Sequence, residues 1–195
     1  MNEQRPVEGR PPQDAMLADR ARDGDVDAYE ELVRRYREPA FRVAWLVARD
    51  RSEAEDAVQE AFVKAYHAMA GFRHGAPFRP WILQIVANEA RNRARATRRR
   101  EALRLRVASV ASSGDAAPSP EAATLAHDDA QILVKALDEL REEDRLVVAY
   151  RYLFELSEAE TADALGLPAG TVKSRLSRAL VKLRTHLVAS HGATA

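Results

Sequence analysis

The chain has 195 residues, of which 46% are hydrophobic and 31% charged, and its 30 basic and 30 acidic side chains cancel to a formal net charge of zero. This composition is typical of a globular protein and excludes wholesale disorder. No apolar stretch approaches the roughly 18 residues of a membrane-spanning helix, and the N-terminus lacks the apolar segment of a secretory signal, so we expect a cytoplasmic protein. The absence of cysteine excludes disulfides, thiolate nucleophiles and cysteine-based zinc sites.

Charge is distributed unevenly along the chain. Residues 81–106 carry a net charge of +6 and residues 171–195 carry +5, whereas residues 107–170 between them carry −9. Two compact basic blocks are typical of a protein that holds a polyanion at two places. The alternative is a set of solvated helix faces on which charge is clustered by chance.

Apolar residues recur at the helical period from about residue 14 to 100, which predicts a four-helix domain. Two apolar stripes, one on each side of Pro39, are assigned to the first two helices. The third helix begins at a capping-box signature, Ser52 with Glu55, and stops near Gly71.

The fourth helix is predicted to begin at Pro77 or Pro80. One of its faces carries amides and guanidinium groups, on Asn88, Arg91, Asn92 and Arg95, with Trp81 on the same side. Such a row suits a nucleic-acid strand with exposed bases, because amides read an extruded base and arginines neutralise phosphate.

The loop before this helix holds Phe72 and His74, which could line a pocket for a base taken out of the stack. For Trp81 alone, a half-buried core position is the commoner interpretation, and for His74 an ordinary loop position.

The third helix carries an acidic face formed by Glu53, Asp56 and Glu60, with Gln59 beside it. A carboxylate metal site in a helical bundle would need a histidine at matching spacing, and none is present. A face that docks onto a basic protein surface fits better, although the same spacing also fits a solvated acidic face.

Residues 107–126 are rich in Ala, Ser, Pro and Gly, which is typical of a flexible linker. Helical periodicity then resumes. We predict an all-α fold of two small helical domains joined by a flexible linker, with a tail at 1–13, a first domain at 14–100, the linker at 101–127, a second domain at 128–187 and a tail at 188–195.

The second domain contains the pattern of a helix-turn-helix. Ser157 and Glu160 form a capping box that opens a short helix, Gly166 supplies the positive φ of a tight turn, and Pro168 suits the start of the next helix. The apolar face of that second helix comprises Val172, Leu176, Ala179, Leu180 and Leu183.

The opposite face of this helix is polar and basic, as the major groove of DNA requires. Arg178 could bond guanine edges, Ser174 and Ser177 could reach bases or phosphate, and Lys173 and Arg175 could hold the backbone. The predicted DNA-reading set is Thr171, Lys173, Ser174, Arg175, Ser177 and Arg178.

Three blocks of the sequence, at 53–66, 78–92 and 156–184, resemble the signature blocks of the extracytoplasmic-function (ECF) group of bacterial sigma factors. The blocks agree with that family in order, in spacing and in the linker between them. Some positions depart from the usual pattern, notably Gln84 in place of a frequent arginine and Thr161 in place of isoleucine.

The resemblance implies a first domain similar to sigma domain two. Its third helix, through Glu53, Asp56, Gln59 and Glu60, would dock on the clamp helices of the polymerase beta-prime subunit. Its fourth helix and preceding loop would bind and melt the minus-ten promoter element, with Asn88 as the base-reading asparagine. The minus-ten set is Phe72, His74, Trp81, Asn88, Arg91, Asn92 and Arg95.

The resemblance also implies a second domain similar to sigma domain four, which reads the minus-thirty-five element and rests on the beta flap. The partners would be RNA polymerase core, promoter DNA and an anti-sigma factor. We expect no enzymatic activity, no cofactor and no metal, since the sequence holds no P-loop or dinucleotide fingerprint. The alternative is a helix-turn-helix regulator whose N-terminal helices dimerise or sense a ligand.

Overall fold

The computed structural model describes residues 12–108 and 135–192 of the chain, with side chains described for 13–102 and 135–187. Within these ranges every regular element is a helix, which confirms the all-α prediction. The helices are α1 (Pro12–Arg22), α2 (Val26–Ala48), α3 (Arg51–Ala68), a short 3₁₀ helix (Met69–Gly71), α4 (Phe78–Ala108), α5 (Glu142–Tyr152), α6 (Glu158–Leu165) and α7 (Ala169–Gly192). Helices α1–α4 form the first domain, and α5–α7, with a helical turn at 135–138, form the second.

Helix α2 is continuous through Pro39, so the prediction of two helices divided at this proline is wrong. Asp25 caps the helix, since its side chain accepts a hydrogen bond from the backbone N–H of Ala28. Buried side chains from Ala28 to Val47 continue on one face past the proline. Packing of that face outweighs the hydrogen bond that a proline removes from a helix.

Helix α3 begins two residues earlier than its capping-box signature predicts. The cap is Asp50, whose carboxylate accepts a hydrogen bond from the backbone N–H of Glu53, and Ser52 already lies in the first turn. The helix ends in the 3₁₀ turn that closes at Gly71, close to its predicted stop.

Helix α4 begins at Phe78, between its two candidate start prolines. It extends to Ala108, eight residues beyond the end predicted for the first domain and into the predicted linker. The rest of that linker to residue 127, the start of the second domain to residue 134, and residues 1–11 and 193–195 of the two predicted tails lie outside the described residues.

The helix-turn-helix has the predicted local geometry. Ser157 and Glu160 form both hydrogen bonds of the capping box, and Gly166 ends α6 with a φ of 63°. On α7, Val172, Ala179 and Leu183 are buried as predicted, but Leu180 is 38% exposed and lies at the edge of an apolar groove instead of in the core.

The two domains share one hydrophobic core. Leu146, Tyr150 and Phe154 of the second domain belong to the same buried cluster as Leu83 and Val86 of α4. Seven consecutive residues of α5, from Asp144 to Tyr150, are buried, because this helix packs between the first domain and α7. The sequence carries no prediction of this contact.

Candidate nucleic-acid interface

One face of α4 brings together the amides and arginines that the sequence assigns to base reading. Asn88, Arg91, Asn92 and Arg95 are spaced by three or four residues and line one wall of a cleft of about 810 Å³. Asn88, Asn92 and Arg95 are exposed. The opposite wall comes from the second domain and includes Glu142.

Arg91 is the one member of this row with an ion pair to the second domain among the described contacts. Its Nε lies 3.0 Å from Oε1 of Glu142, and its Nη1 lies 3.3 Å from Oδ1 of Asn88. The guanidinium therefore links an amide of its own helix to a carboxylate at the start of α5.

The aromatic residues before the row are more buried than the row itself. Phe72 is only 6% exposed, and its ring centroid lies 4.8 Å from that of the half-buried Trp81. Both nevertheless line a second cavity of about 300 Å³, together with Gln84 and Asp163. The use of this cavity as a base pocket stays a prediction.

His74 does not line that cavity. Its side chain is 75% exposed, and its Nδ1 lies 2.8 Å from Oδ1 of Asp19 at the end of α1. The structure thus places His74 apart from the other predicted minus-ten residues.

The outward face of α7 carries most of the predicted major-groove set. Lys173, Ser174, Ser177 and Arg178 are exposed, and Thr171 is half-buried in the first turn. Local bonds order part of this face, since Ser174 Oγ donates to the carbonyl oxygen of Thr171 and Arg178 Nε donates to that of Ser174.

Arg175 differs from its neighbours. Its Nη1 lies 2.6 Å from Oε2 of Glu143, and the side chain lines the cleft beside α4. It therefore faces the first domain, away from the exposed DNA-reading face of α7.

The acidic face of α3 is divided between internal and outward-facing groups. Arg93 of α4 donates from Nε to Glu53 over 3.0 Å and also pairs with Asp56, while Thr97 Oγ1 donates to Glu53 over 3.0 Å. Gln59 and Glu60 are exposed. Part of the predicted docking face thus braces α3 against α4.

A second brace lies further along the same pair of helices. Lys64 Nζ lies 2.5 Å from Oε2 of the buried Glu89. This hydrogen bond raises the pKa of Lys64. No signal within either helix reveals Arg93, Thr97 or Lys64 as braces, because their partners lie 25 to 44 residues away.

Two polar residues of α5 anchor the second domain and were not singled out from the sequence. Tyr150 is fully buried and donates from its hydroxyl to the carbonyl oxygen of Leu83 over 3.1 Å. Arg145, 7% exposed, donates two bonds to the carbonyl oxygen of Leu46, at 2.7 and 3.1 Å. Burial raises the pKa of Tyr150 and lowers that of Arg145.

Among residues 12–108 and 135–192, no group of three or more His, Cys, Asp or Glu side chains is arranged to hold a metal ion. No helix in those ranges is long and apolar enough to cross a membrane.

Comparisons with known proteins agree with this geometry. A family model described as "Sigma-70 region 2" matches residues 32–100, and one described as "Sigma-70, region 4" matches residues 130–183. The chain is 34% identical over 174 residues to the ECF RNA polymerase sigma-E factor of Escherichia coli K12, with 85% of this chain and 90% of the relative covered.

The chain is also 34% identical over 173 residues to the RNA polymerase sigma-H factor of Pseudomonas aeruginosa, with 86% of this chain and 90% of the relative covered. Among solved structures, CnrH in complex with the cytosolic domain of CnrY matches with a TM-score of 0.66 and 29% identity, covering 91% of this chain and 98% of that one.

Two sigma-70 regions in this order, on two helical domains with a helix-turn-helix in the second, define a transcription initiation factor of the sigma-70 class. The chain belongs to the ECF group of RNA polymerase sigma factors. This assignment replaces the alternative of a stand-alone helix-turn-helix regulator.

Proposed function

We propose that the two domains divide promoter recognition between them. Helix α4 and the loop before it bind and open the minus-ten element, and α7 reads the minus-thirty-five element in the major groove. The outer side of α3 docks on the beta-prime clamp helices, and the second domain rests on the beta flap. The protein is not an enzyme and needs no cofactor, because it lends specificity to the polymerase.

The observation that carries this proposal is the single row formed by Asn88, Arg91, Asn92 and Arg95 on one wall of a cleft. Exposed amides offer both a donor and an acceptor to the edge of an unpaired base, and arginines beside them neutralise its phosphates. The half-buried Trp81, about two helical turns before Asn88, provides an aromatic surface.

The exposed face of α7 supports the second contact. Arg178 and Ser177 lie on the side of the helix away from buried Val172 and Ala179, so the helix offers polar side chains while its apolar face holds the domain together. A recognition helix in the major groove needs this division between its two faces.

The outward part of α3 supports docking on polymerase. Gln59 and Glu60 are exposed on α3, and Asp56, which pairs with Arg93, is half accessible beside them. A basic partner surface would complement these carboxylates.

An anti-sigma factor is the further partner that membership of this family implies, and we propose that the protein acts in the cytoplasm, where polymerase is found.

Run-off transcription with purified core polymerase on candidate promoters tests the proposal. The wild-type chain should support promoter-specific initiation, and Asn88→Ala should reduce it about tenfold or more. Permanganate reactivity of unpaired thymines should fall in parallel, because the variant fails to hold the open strand. Arg34→Ala, an exposed change on α2, is the matched control and should leave both readouts unchanged. Normal promoter opening by Asn88→Ala would contradict the assignment of α4.

A further inference from the structure

We propose that Asp19 on α1 is a positioning residue for minus-ten recognition, because it holds the turn at 73–76 that borders the aromatic cavity. His74 is the link between that carboxylate and the turn, and it does not itself contact a base. This inference rests on the proposed use of the cavity as a base pocket, and it gives α1 a part in promoter specificity.

The turn at 73–76 is tight and lies on the surface. The backbone N–H of Ala76 donates to the carbonyl oxygen of Arg73 over 3.0 Å, which closes the turn. Gly75, its third residue, has a φ of 68°, the left-handed conformation that favours glycine. Arg73, His74 and Gly75 are all exposed, so no buried side chain of their own fixes where the turn lies.

Asp19 attaches this turn to the rest of the first domain. Nδ1 of His74 lies 2.8 Å from Oδ1 of Asp19, and the backbone nitrogen of Gly75 lies 3.5 Å from the same oxygen. Two consecutive residues of the turn thus meet one carboxylate oxygen. Within the described residues, the hydrogen bonds and ion pairs that tie residues 73–75 to another element all end on Asp19.

Asp19 has a fixed place in the first domain. Its neighbours Ala18 and Ala21 are buried in the core, so sliding of this part of α1 would open the packing beneath it. Near the start of the helix, the buried Asp14 accepts a hydrogen bond from the hydroxyl of Tyr36 on α2 over 2.5 Å. The carboxylate of Asp19 is therefore a rigid reference point for the turn.

The position of the turn affects the shape of the cavity. Arg73 and Ala76 line the cavity from the turn, and Phe72, Trp81 and Gln84 line it from either side. Phe72 packs against Trp81, which fixes these two rings, whereas Arg73 and Ala76 depend on the turn for their place. A pocket for an extruded base selects by its shape. A displaced turn would therefore admit bases that the held turn excludes.

The chemistry of the link defines which replacements keep it. Nδ1 of His74 carries a proton, because a bare lone pair 2.8 Å from a carboxylate oxygen would repel it. Asparagine carries an amide nitrogen with protons at the same position along the side chain, whereas alanine has no donor. Arg22 on α1 pairs with both Asp19 and Asp23, and none of the bonds described for Asp23 reaches the turn. Asp23 is therefore a matched control for Asp19.

The test uses holoenzyme assembled from core polymerase and the full chain, on a template that supports run-off transcription and whose minus-ten element is randomised one position at a time. The readout is base discrimination, the ratio of initiation with the best base to initiation with the worst base at each position. Asp19→Ala and His74→Ala should each lower this ratio about three- to tenfold at one or two adjacent positions, as expected for loss of one bond that holds the turn. Asp23→Asn should discriminate as wild type does.

Two comparisons separate positioning from a general loss of stability. His74→Asn should recover most of the discrimination that His74→Ala loses. The double variant, Asp19→Ala with His74→Ala, should lose no more discrimination than either single variant, because both changes remove the same link. Core affinity and the midpoint of thermal unfolding should change little in His74→Ala, since this side chain is 75% exposed.

Unchanged base discrimination in both alanine variants would overturn the inference. A loss of initiation by the same factor with every base would also overturn it, because a merely structural contact has that effect. Additive losses in the double variant would mean that the two residues act separately, which contradicts the link. Wild-type holoenzyme without base preference in the minus-ten element would instead count against the proposed function, so the two failures are distinguishable.

Discussion

Arg93 on α4 joins Glu53 on α3 through a 3.0 Å bond from its Nε, and the same guanidinium pairs with Asp56 one turn further along α3. The helix proposed to read DNA and the helix proposed to dock on polymerase are therefore braced against each other. Of the acidic residues on α3, Glu53 and Asp56 pair with Arg93 of α4, and the exposed Glu60 pairs with Lys64 of its own helix.

Replacement of the two exposed carboxylates in the predicted docking set, Asp56 and Glu60, is expected to weaken polymerase binding. Asp56→Asn with Glu60→Gln should lower affinity for core polymerase about tenfold, because an acidic docking face loses two charges. Fluorescence titration of labelled protein with core measures this. Glu53→Gln is the informative comparison, because the Glu53 carboxylate faces Arg93 and Thr97. This variant should lower the free energy of unfolding slightly and leave the affinity for core polymerase unchanged. Unaltered affinity in the double variant would exclude this face as the docking site.

The recognition helix gives the converse prediction. Arg178→Ala should reduce promoter-specific initiation by about tenfold or more, because one base-reading guanidinium contributes about 1–3 kcal/mol of discrimination. Core binding should be preserved. Arg37→Ala on α2 removes the same charge from an exposed position and serves as control. A parallel loss of core binding and initiation in Arg178→Ala would argue that α7 does more than read DNA.

A buried hydroxyl in α6 predicts a stabilising substitution. Thr161 is 0% exposed, and its Oγ1 has no hydrogen-bond partner among the residues that the structure describes. Thr161→Val keeps the shape and removes the unpaired group, so the free energy of unfolding should rise by about 1 kcal/mol. Thermal unfolding followed by circular dichroism measures it. Thr185→Val, at an exposed position where Oγ1 bonds the carbonyl oxygen of Val181, should give no gain. Destabilisation by Thr161→Val would mean that the hydroxyl is satisfied in solution.

The start of α3 allows a direct test of its cap. Asp50→Ala should lower the free energy of unfolding by about 1 kcal/mol, because its carboxylate accepts the backbone N–H of Glu53. Ser52→Ala, two residues on, should change stability little, since Ser52 lies inside the helix. Urea unfolding measures the free energy of unfolding of both variants. A larger loss of stability for Ser52→Ala than for Asp50→Ala would support the capping box expected from the sequence.

Structural features that depend on side chains only a few residues apart were predictable from the sequence. The Ser157–Glu160 capping box and the positive φ of Gly166 follow from side chains within one turn, and both are present. At the start of α3, Asp50 and Ser52 are both good caps two residues apart, and the sequence alone does not decide between them. The helix break predicted at Pro39 is wrong for a related reason. Packing against other parts of the chain offsets the free-energy cost that the proline imposes on the helix.

Long-range contacts were not predictable. Leu146 and Tyr150 form one apolar stripe in the sequence, which indicates a helix with a single buried face, yet all seven residues from Asp144 to Tyr150 are buried. Arg145 is accommodated in that buried helix because its guanidinium donates to the carbonyl oxygen of Leu46, 99 residues away in sequence. The row of amides and arginines on α4 was predictable because its spacing is local, whereas the contact of Arg91 with Glu142 depends on where α5 packs.

The shared core also bears on how such a chain can change over evolutionary time. Phe154 and Leu156 pack in one cluster with α4 residues, so their shapes are matched to a neighbour encoded elsewhere in the gene. Recombination that swaps one half for that of a paralogue would bring together surfaces shaped for different neighbours. Chimaeras should therefore inherit a working pair of domains only when the residues along this seam are exchanged together.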